Sequence, residues 1–97
     1  MSNWLYVLEL ENDKYYVGIS CNLANRLSAH RRGEGAKWTK VHKMIRVAYK
    51  INIDEDKDNK MEQYITLSLM ALLGWKNVRG YAWSQENMKN APIVLRE

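Results

Sequence analysis

Arg26 and His30 in "NLANRLSAH" stand four residues apart, the spacing that puts two side chains on one face of a helix. A guanidinium can clamp two phosphate oxygens at once, and an imidazole can hold a phosphate or pass a proton near neutral pH. Upstream, "YYVGIS" (15–20) packs Tyr15, Tyr16 and Gly18 into one short stretch. In an ordinary strand the tyrosines would pack and the glycine would weaken the ladder, so this stretch asks for a second reason. Downstream, Glu62 offers a carboxylate in "NKMEQ", although Asn59-Lys60-Met61-Glu62 also spells a capping box in which the glutamate reaches back to the helix start. Charge supports a polyanionic partner. The net charge is +4, yet residues 26–50 hold eight Lys or Arg against Glu34 alone, whereas residues 1–25 sum to −2 and residues 51–97 to −1. A basic middle third between mildly acidic ends is the pattern of a nucleic-acid-facing surface, and a solvated helix with its loop would give the same pattern.

These residues need elements to hold them. "WLYVLEL" (4–10) alternates, with Trp4, Tyr6, Leu8 and Leu10 on one face and Leu5 and Val7 on the other, which predicts a strand. "ENDK" is a turn, and "YYVGIS" is the returning strand of an antiparallel hairpin. "CNLANRLSAHRRGEG" reads as an amphipathic helix of about three turns, with Ser20 or Asn22 as N-cap and Gly33 or Gly35 as its stop. Arg26 borders the stripe made by Leu23 and Leu27, which aims it at the sheet edge. "AKWTKVHK" (36–43) reads as basic connecting chain and "MIRVAYKINI" (44–53) as a third strand. An acidic loop leads to a helix over 59–74, with Met61, Tyr64, Ile65, Leu69 and Leu72 at helical spacing and Gly74 as its end. "WKNVRGYAWS" (75–84) reads as irregular and aromatic. "SQENMKN" (84–90) reads as a last short helix capped by Ser84, with Pro92 closing the ordered part. This order predicts an α+β fold: a small sandwich with a three-stranded antiparallel sheet flanked by helices.

Ninety-seven residues, 46% of them hydrophobic, suffice for one core and are too few for two, so a single domain over 1–97 is expected. Cys21 is the one cysteine, which excludes an intramolecular disulfide and gives no sign of an oxidising compartment. No apolar run approaches the ~18 residues of a membrane span and no signal-like segment opens the chain, so a cytoplasmic protein with no membrane partner is expected.

Taken in order, Tyr6 in "WLYVL", Tyr16 and Gly18 in "YYVGIS", Arg26 and His30 in "NLANRLSAH", Glu62 in the later helix and Asn77 in "WKNVRG" resemble the GIY-YIG nuclease superfamily. The resemblance runs from residue 4 to about residue 84. The first triplet is Trp4-Leu5-Tyr6 where the family has Gly-Ile-Tyr, and the second is Tyr16-Val17-Gly18. Many members carry a lysine shortly after the second tyrosine, where this chain has Ile19.

The resemblance implies a small stand-alone endonuclease domain that hydrolyses DNA phosphodiesters with Mg²⁺ or Mn²⁺. Glu62 is implied as the metal carboxylate, Arg26 as the transition-state stabiliser and Tyr6 as the acceptor of a proton from the attacking water. Tyr16 is implied to bind a phosphate or position that water. His30 would hold a phosphate or shuttle a proton, and Asn77 would orient the water or a neighbouring side chain. Candidate DNA contacts are Arg31, Arg32, Lys37, Lys40, Lys43 and Arg79 for phosphates, with Trp38, Tyr81 or Trp83 stacking on splayed bases. Specificity would come from this surface, a homodimer or a partner protein. A catalytically silent nucleic-acid-binding module of the same fold is the alternative. The family reading also constrains the hairpin. A two-residue turn would pair residues whose numbers sum to 25 and send Tyr6 and Tyr16 to opposite faces, so a three-residue or bulged turn that sets Tyr6 beside Gly18 is expected.

Overall fold

The structure, a computed structural model, describes residues 2–54 and 60–95. Strand β1 (Trp4–Leu10) lies at the centre of the sheet, between β2 (Lys14–Ser20) and β3 (Met44–Asn52), both antiparallel to it. β4 (Val78–Gly80) adds a parallel edge beside β2, giving the order β3-β1-β2-β4. The fold is α+β, as expected, but its sheet is mixed and four-stranded. The three residues of β4 are too few to show alternation, and their pairing with β2 spans more than sixty positions of chain.

The hairpin register follows the expectation. Glu11–Asp13 form a three-residue 3₁₀ turn in which Asn12 (φ 64°) and Asp13 (φ 58°) both take left-handed backbone, a conformation that Asn and Asp tolerate better than other side-chain-bearing residues. Tyr6 therefore pairs with Gly18 and Leu8 with Tyr16, so both tyrosines share a face.

Each face of the sheet is covered. On the tyrosine side, α1 (Leu23–Arg31) lays Leu23 and Leu27 against Tyr6, Leu8 and Leu10. Asn22 caps α1, its side-chain oxygen accepting the Asn25 N–H at 3.3 Å. The stretch read as connecting chain contains a one-turn helix, α2 (Lys37–Val41), that tucks Trp38 and Thr39 inward. On the other side, α3 (Lys60–Leu73) and the C-terminal segment enclose Leu5, Val7, Val17 and Val78. Met61, Ile65 and Leu69 face that core as expected, whereas Tyr64 and Leu72 are 66% and 79% exposed. Their helical spacing was compatible with two faces of α3, and only one meets the sheet.

Two expected DNA contacts are structural instead. Trp38 is 4% exposed and its indole N–H donates to the Tyr15 carbonyl at 3.0 Å, so it has no free face for a base. Arg79 is 3% exposed and stacks on Trp38, 4.3 Å from the ring centroid. Its guanidinium donates to the carbonyls of Trp75 (3.0 Å), Val78 (2.9 Å), Gln85 (2.6 Å) and Glu86 (3.2 Å). This also corrects the last expected helix. Residues 84–90 form no helix, because the Gln85 and Glu86 carbonyls turn inward to Arg79. Beyond Pro92, Ile93–Leu95 make one more 3₁₀ turn, and Leu95 packs on the core.

Arg79→Met keeps much of the side-chain volume and removes every one of these donors. It is expected to lower the unfolding free energy by about 3 kcal/mol or more in a urea titration, since each orphaned buried acceptor costs about 1–3 kcal/mol. A loss under about 1 kcal/mol would contradict this role.

Candidate functional site

β1 brings Tyr6, β2 brings Tyr16 and Gly18, and α1 brings Arg26 and His30 to one place. The Tyr6 and Tyr16 rings are 6.4 Å apart between centroids, and the His30 ring lies 5.7 Å from the first and 5.2 Å from the second. Tyr6 Oη stands 2.9 Å from His30 Nε2 in a fully buried contact, and His30 Nδ1 stands 3.0 Å from Thr39 Oγ1. One helical turn before His30, the Arg26 guanidinium reaches the Tyr6 hydroxyl from the solvent side.

Glycine is required at position 18 by this arrangement. A Cβ there would overlap the Tyr6 hydroxyl, lie 2.6 Å from its Cζ and 3.0 Å from Tyr16 Cε2. Gly35 stands in the same relation to His30, where a Cβ would overlap Nδ1 and come within 2.7 Å of Cε1. The two absent side chains leave the phenol and the imidazole room to meet.

Burial dominates the titration of these groups. It pushes the Tyr6 phenol up to about 12, with the neighbouring Tyr16 and Glu62 adding to the rise and Arg26 opposing it. Tyr16 is raised as well, again mainly by burial. Burial and then the charge of Arg26 push His30 down to about 4. At neutral pH the site therefore rests as neutral phenols, a neutral imidazole and a guanidinium.

Glu62 lies in the first turn of α3, close enough to both tyrosines to raise their pKa values. Burial raises its own pKa, opposed by the Tyr81 backbone N–H that donates to its carboxylate. Tyr81 takes left-handed backbone (φ 52°) just past β4. Among the described residues no cationic side chain pairs with Glu62. The capping-box partner Asn59 lies outside the described residues. Among those described, no three His, Cys, Asp or Glu side chains gather. The donor set that an implied metal would meet is thus a single half-buried carboxylate, which fits a hard cation that keeps several waters.

Asn77 stands apart from this cluster. Its amide donates to the Leu73 carbonyl at 2.8 Å and accepts from Lys14 Nζ at 2.7 Å, closing the end of α3 onto β2. Ile19, at the position of the family lysine, turns to the opposite face and packs with the Leu5 and Val7 core. Arg31, Arg32, Lys37, Lys40 and Lys43 are exposed along the end of α1 and α2, with Arg32 paired to Glu34 at 2.7 Å. Of the other two aromatic candidates, Trp83 packs on the core and Tyr81 is the more exposed. Thr39 and Gly35 were missed: the two glycines after α1 were the available cue, and the inward turn of Trp38 and Thr39 shows only in the fold.

Fold and site define a compact α+β domain built around a tyrosine pair, an arginine and a histidine. The model of the GIY-YIG catalytic domain matches residues 2–70, and the chain belongs to that family, typically one of nucleases. Among curated relatives, it is 51% identical over 45 residues to the UPF0213 protein NMA2126 of Neisseria meningitidis, covering 45% of this chain and 50% of that one. It is 41% identical over 51 residues to UPF0213 protein H16_B0156 of Cupriavidus necator (53% and 55% covered). A UPF0213 protein of Pediococcus pentosaceus is 33% identical over 61 residues (63% and 64%). The chain thus spans about half to two thirds of the length of these relatives, whose names state no activity. No solved structure matches it. Among the described residues, no helix is long and apolar enough to cross a membrane.

Two outcomes are expected. His30 has an ordinary pKa of ~6.5 when unfolded and about 4 when folded. Between those values the unfolded chain binds the extra proton, so its stability contribution is full above pH ~6.5 and is lost as pH falls towards ~4. Urea titrations over that range should show wild type losing up to ~3 kcal/mol more than His30→Gln; parallel curves would contradict the buried neutral imidazole. Gly18→Ala should destabilise by roughly 1–3 kcal/mol through overpacking against Tyr6, read in the same assay, and a neutral effect would contradict the close approach.

Proposed function

We propose that this protein hydrolyses DNA phosphodiester bonds as a divalent-metal-dependent endonuclease. The observation that carries the reading is the Tyr6 hydroxyl bound to His30 Nε2 beside the bare backbone of Gly18, with the charge of Arg26 close enough to favour its phenolate. Removing a proton from water with a phenol whose pKa is about 12 looks unproductive, because at neutral pH that phenol has its own proton. The histidine resolves this. When Arg26 moves onto the bound phosphate the attacking water gains access to Tyr6 Oη, and Tyr6 takes its proton while passing its own to His30 Nε2, so no free phenolate is needed at rest. His30 is neutral at pH values well above 4, so its Nε2 lone pair is free, and the negative charge of the bound phosphate raises the proton affinity that burial and Arg26 depress. In this chain His30 takes the part that Ile19 cannot.

Arg26 is exposed and lies near enough to the Tyr6 hydroxyl to lower its pKa, so it can clamp the phosphate and offset charge building on the non-bridging oxygens. Tyr16, on the same face, supplies a second hydroxyl for the phosphate or the water. Glu62 would hold Mg²⁺ or Mn²⁺, which supplies positive charge to the phosphate and the leaving oxygen. Asn77 has a structural task in this reading, in place of the catalytic one the resemblance implied. Arg31, Arg32, Lys37, Lys40 and Lys43 form the phosphate-binding ridge, and a second copy or a partner protein adds to the specificity this small surface can give.

Cleavage of mixed duplex, flap and branched DNA with Mg²⁺ or Mn²⁺ tests the reading. Wild type should cut, and Tyr6→Phe and His30→Ala should each lose about 10²–10⁴-fold in rate, the range of a general-base contribution. Arg26→Ala and Glu62→Ala should fall by about 10²-fold or more. A wild type that binds DNA with a steep salt dependence and leaves it intact would favour the catalytically silent binding module.

A further inference from the structure

We infer that Thr39 and Gly35 are positioning residues that fix the tautomer of His30, so that Nε2 meets Tyr6 as a bare lone pair. A neutral imidazole has one N–H, and its partners decide which nitrogen bears it. Thr39 has one hydroxyl proton, and the Ala36 carbonyl lies 2.8 Å from its oxygen. With that proton committed, Thr39 Oγ1 can only accept from His30, which places the imidazole proton on Nδ1 at 3.0 Å.

The other end of the chain of hydrogen bonds demands the same polarity. Tyr6 is fully buried, and the nearby Arg26 guanidinium has no lone pair with which to accept its proton. Its O–H therefore has a single acceptor among the described residues, His30 Nε2 at 2.9 Å. Reversing the order, with Thr39 donating to Nδ1 and Nε2–H donating to Tyr6, would leave the Tyr6 proton with no acceptor. Arg26, Tyr6, His30, Thr39 and the Ala36 carbonyl form one directional relay.

The segment between helices α1 and α2 makes that geometry possible. Gly35 passes over the imidazole so closely that any side chain there would displace Nδ1 from Thr39. α2 then places Thr39 facing inward beside buried Trp38, with the Ala36 carbonyl at its start. In water the Nε2–H form of imidazole is the commoner one, so Thr39 holds His30 in the form solution disfavours. After Nε2 accepts the Tyr6 proton, Nδ1–H keeps its bond to Thr39, and nothing in the relay has to turn. Thr39 serves this purpose only within the proposed reaction, whereas the tautomer can be read without it.

Long-range proton–nitrogen correlation spectra of histidine-¹⁵N-labelled protein, without metal or DNA, test this directly. The two histidines are told apart with His30→Gln. At pH 7 the expected His30 pattern in wild type and in Thr39→Ser is a protonated Nδ1 and a bare Nε2. In Thr39→Val and Gly35→Ala, where Tyr6 alone still favours a bare Nε2, protonated Nε2 should appear as a second population. If the proposed activity holds, Thr39→Val should cut about 10–100-fold more slowly than Thr39→Ser, the usual cost of losing a histidine's orienting partner. A protonated Nε2 in wild type would overturn the inference whatever the activity, and so would an unchanged tautomer in Thr39→Val. An absence of cleavage with the expected spectra would instead count against the endonuclease reading alone.

Discussion

A dry hydrogen bond between the Tyr6 hydroxyl and His30 Nε2 is the contact around which the rest of the protein is arranged. It requires a central strand, because a strand covered on both faces buries the Tyr6 ring in the resting protein. It requires the register that sets Tyr6 opposite Gly18, because the phenol lies where a side chain would otherwise stand. It requires α1 to cross the sheet with His30 facing down and Arg26 reaching the rim. The same burial that makes the bond strong sets its chemistry: a phenol held far above neutrality and an imidazole far below its usual value remain uncharged together.

The opposite face of the sheet explains how this pocket tolerates so little bulk. Leu5, Val7, Val17 and Val78 pack beneath α3, and Ile19 joins them where many family members have lysine. Arg79 locks the C-terminal segment through four backbone carbonyls and stacks on Trp38. Trp38 in turn anchors α2, which bears Thr39. A buried cation at the β4 edge thus helps, through Trp38, to fix the helix whose Thr39 meets His30.

Much of this was legible in the sequence, for reasons that can be named. β1 and α3 have clear periodicities, whereas α1, weakly amphipathic, is marked by Asn22 and Gly33, which punctuate it as their chemistry dictates. The shared face of the tyrosines followed from the family resemblance, and "ENDK" holds an independent cue, since Asn12 and Asp13 suit left-handed backbone. The failures cluster where tertiary contacts overrule local pattern. α2 is one turn long, and its basic residues conceal the inward pair Trp38 and Thr39. β4 contains an arginine in the core, which alternation treats as surface. Arg79 and Trp38 looked like nucleic-acid contacts by type, and only burial reveals that they bind each other.

In the proposed reaction two phenols, a guanidinium and the Glu62 carboxylate close around one scissile phosphate. A structure with a duplex containing a non-hydrolysable phosphorothiolate linkage and Mn²⁺ measures this most directly. The account predicts the modified phosphate within hydrogen-bond distance of Arg26, a solvent atom touching Tyr6 Oη, and Mn²⁺ on Glu62. A phosphate seated only on the basic ridge of α1 and α2, with Tyr6 closed off from it, would contradict the account.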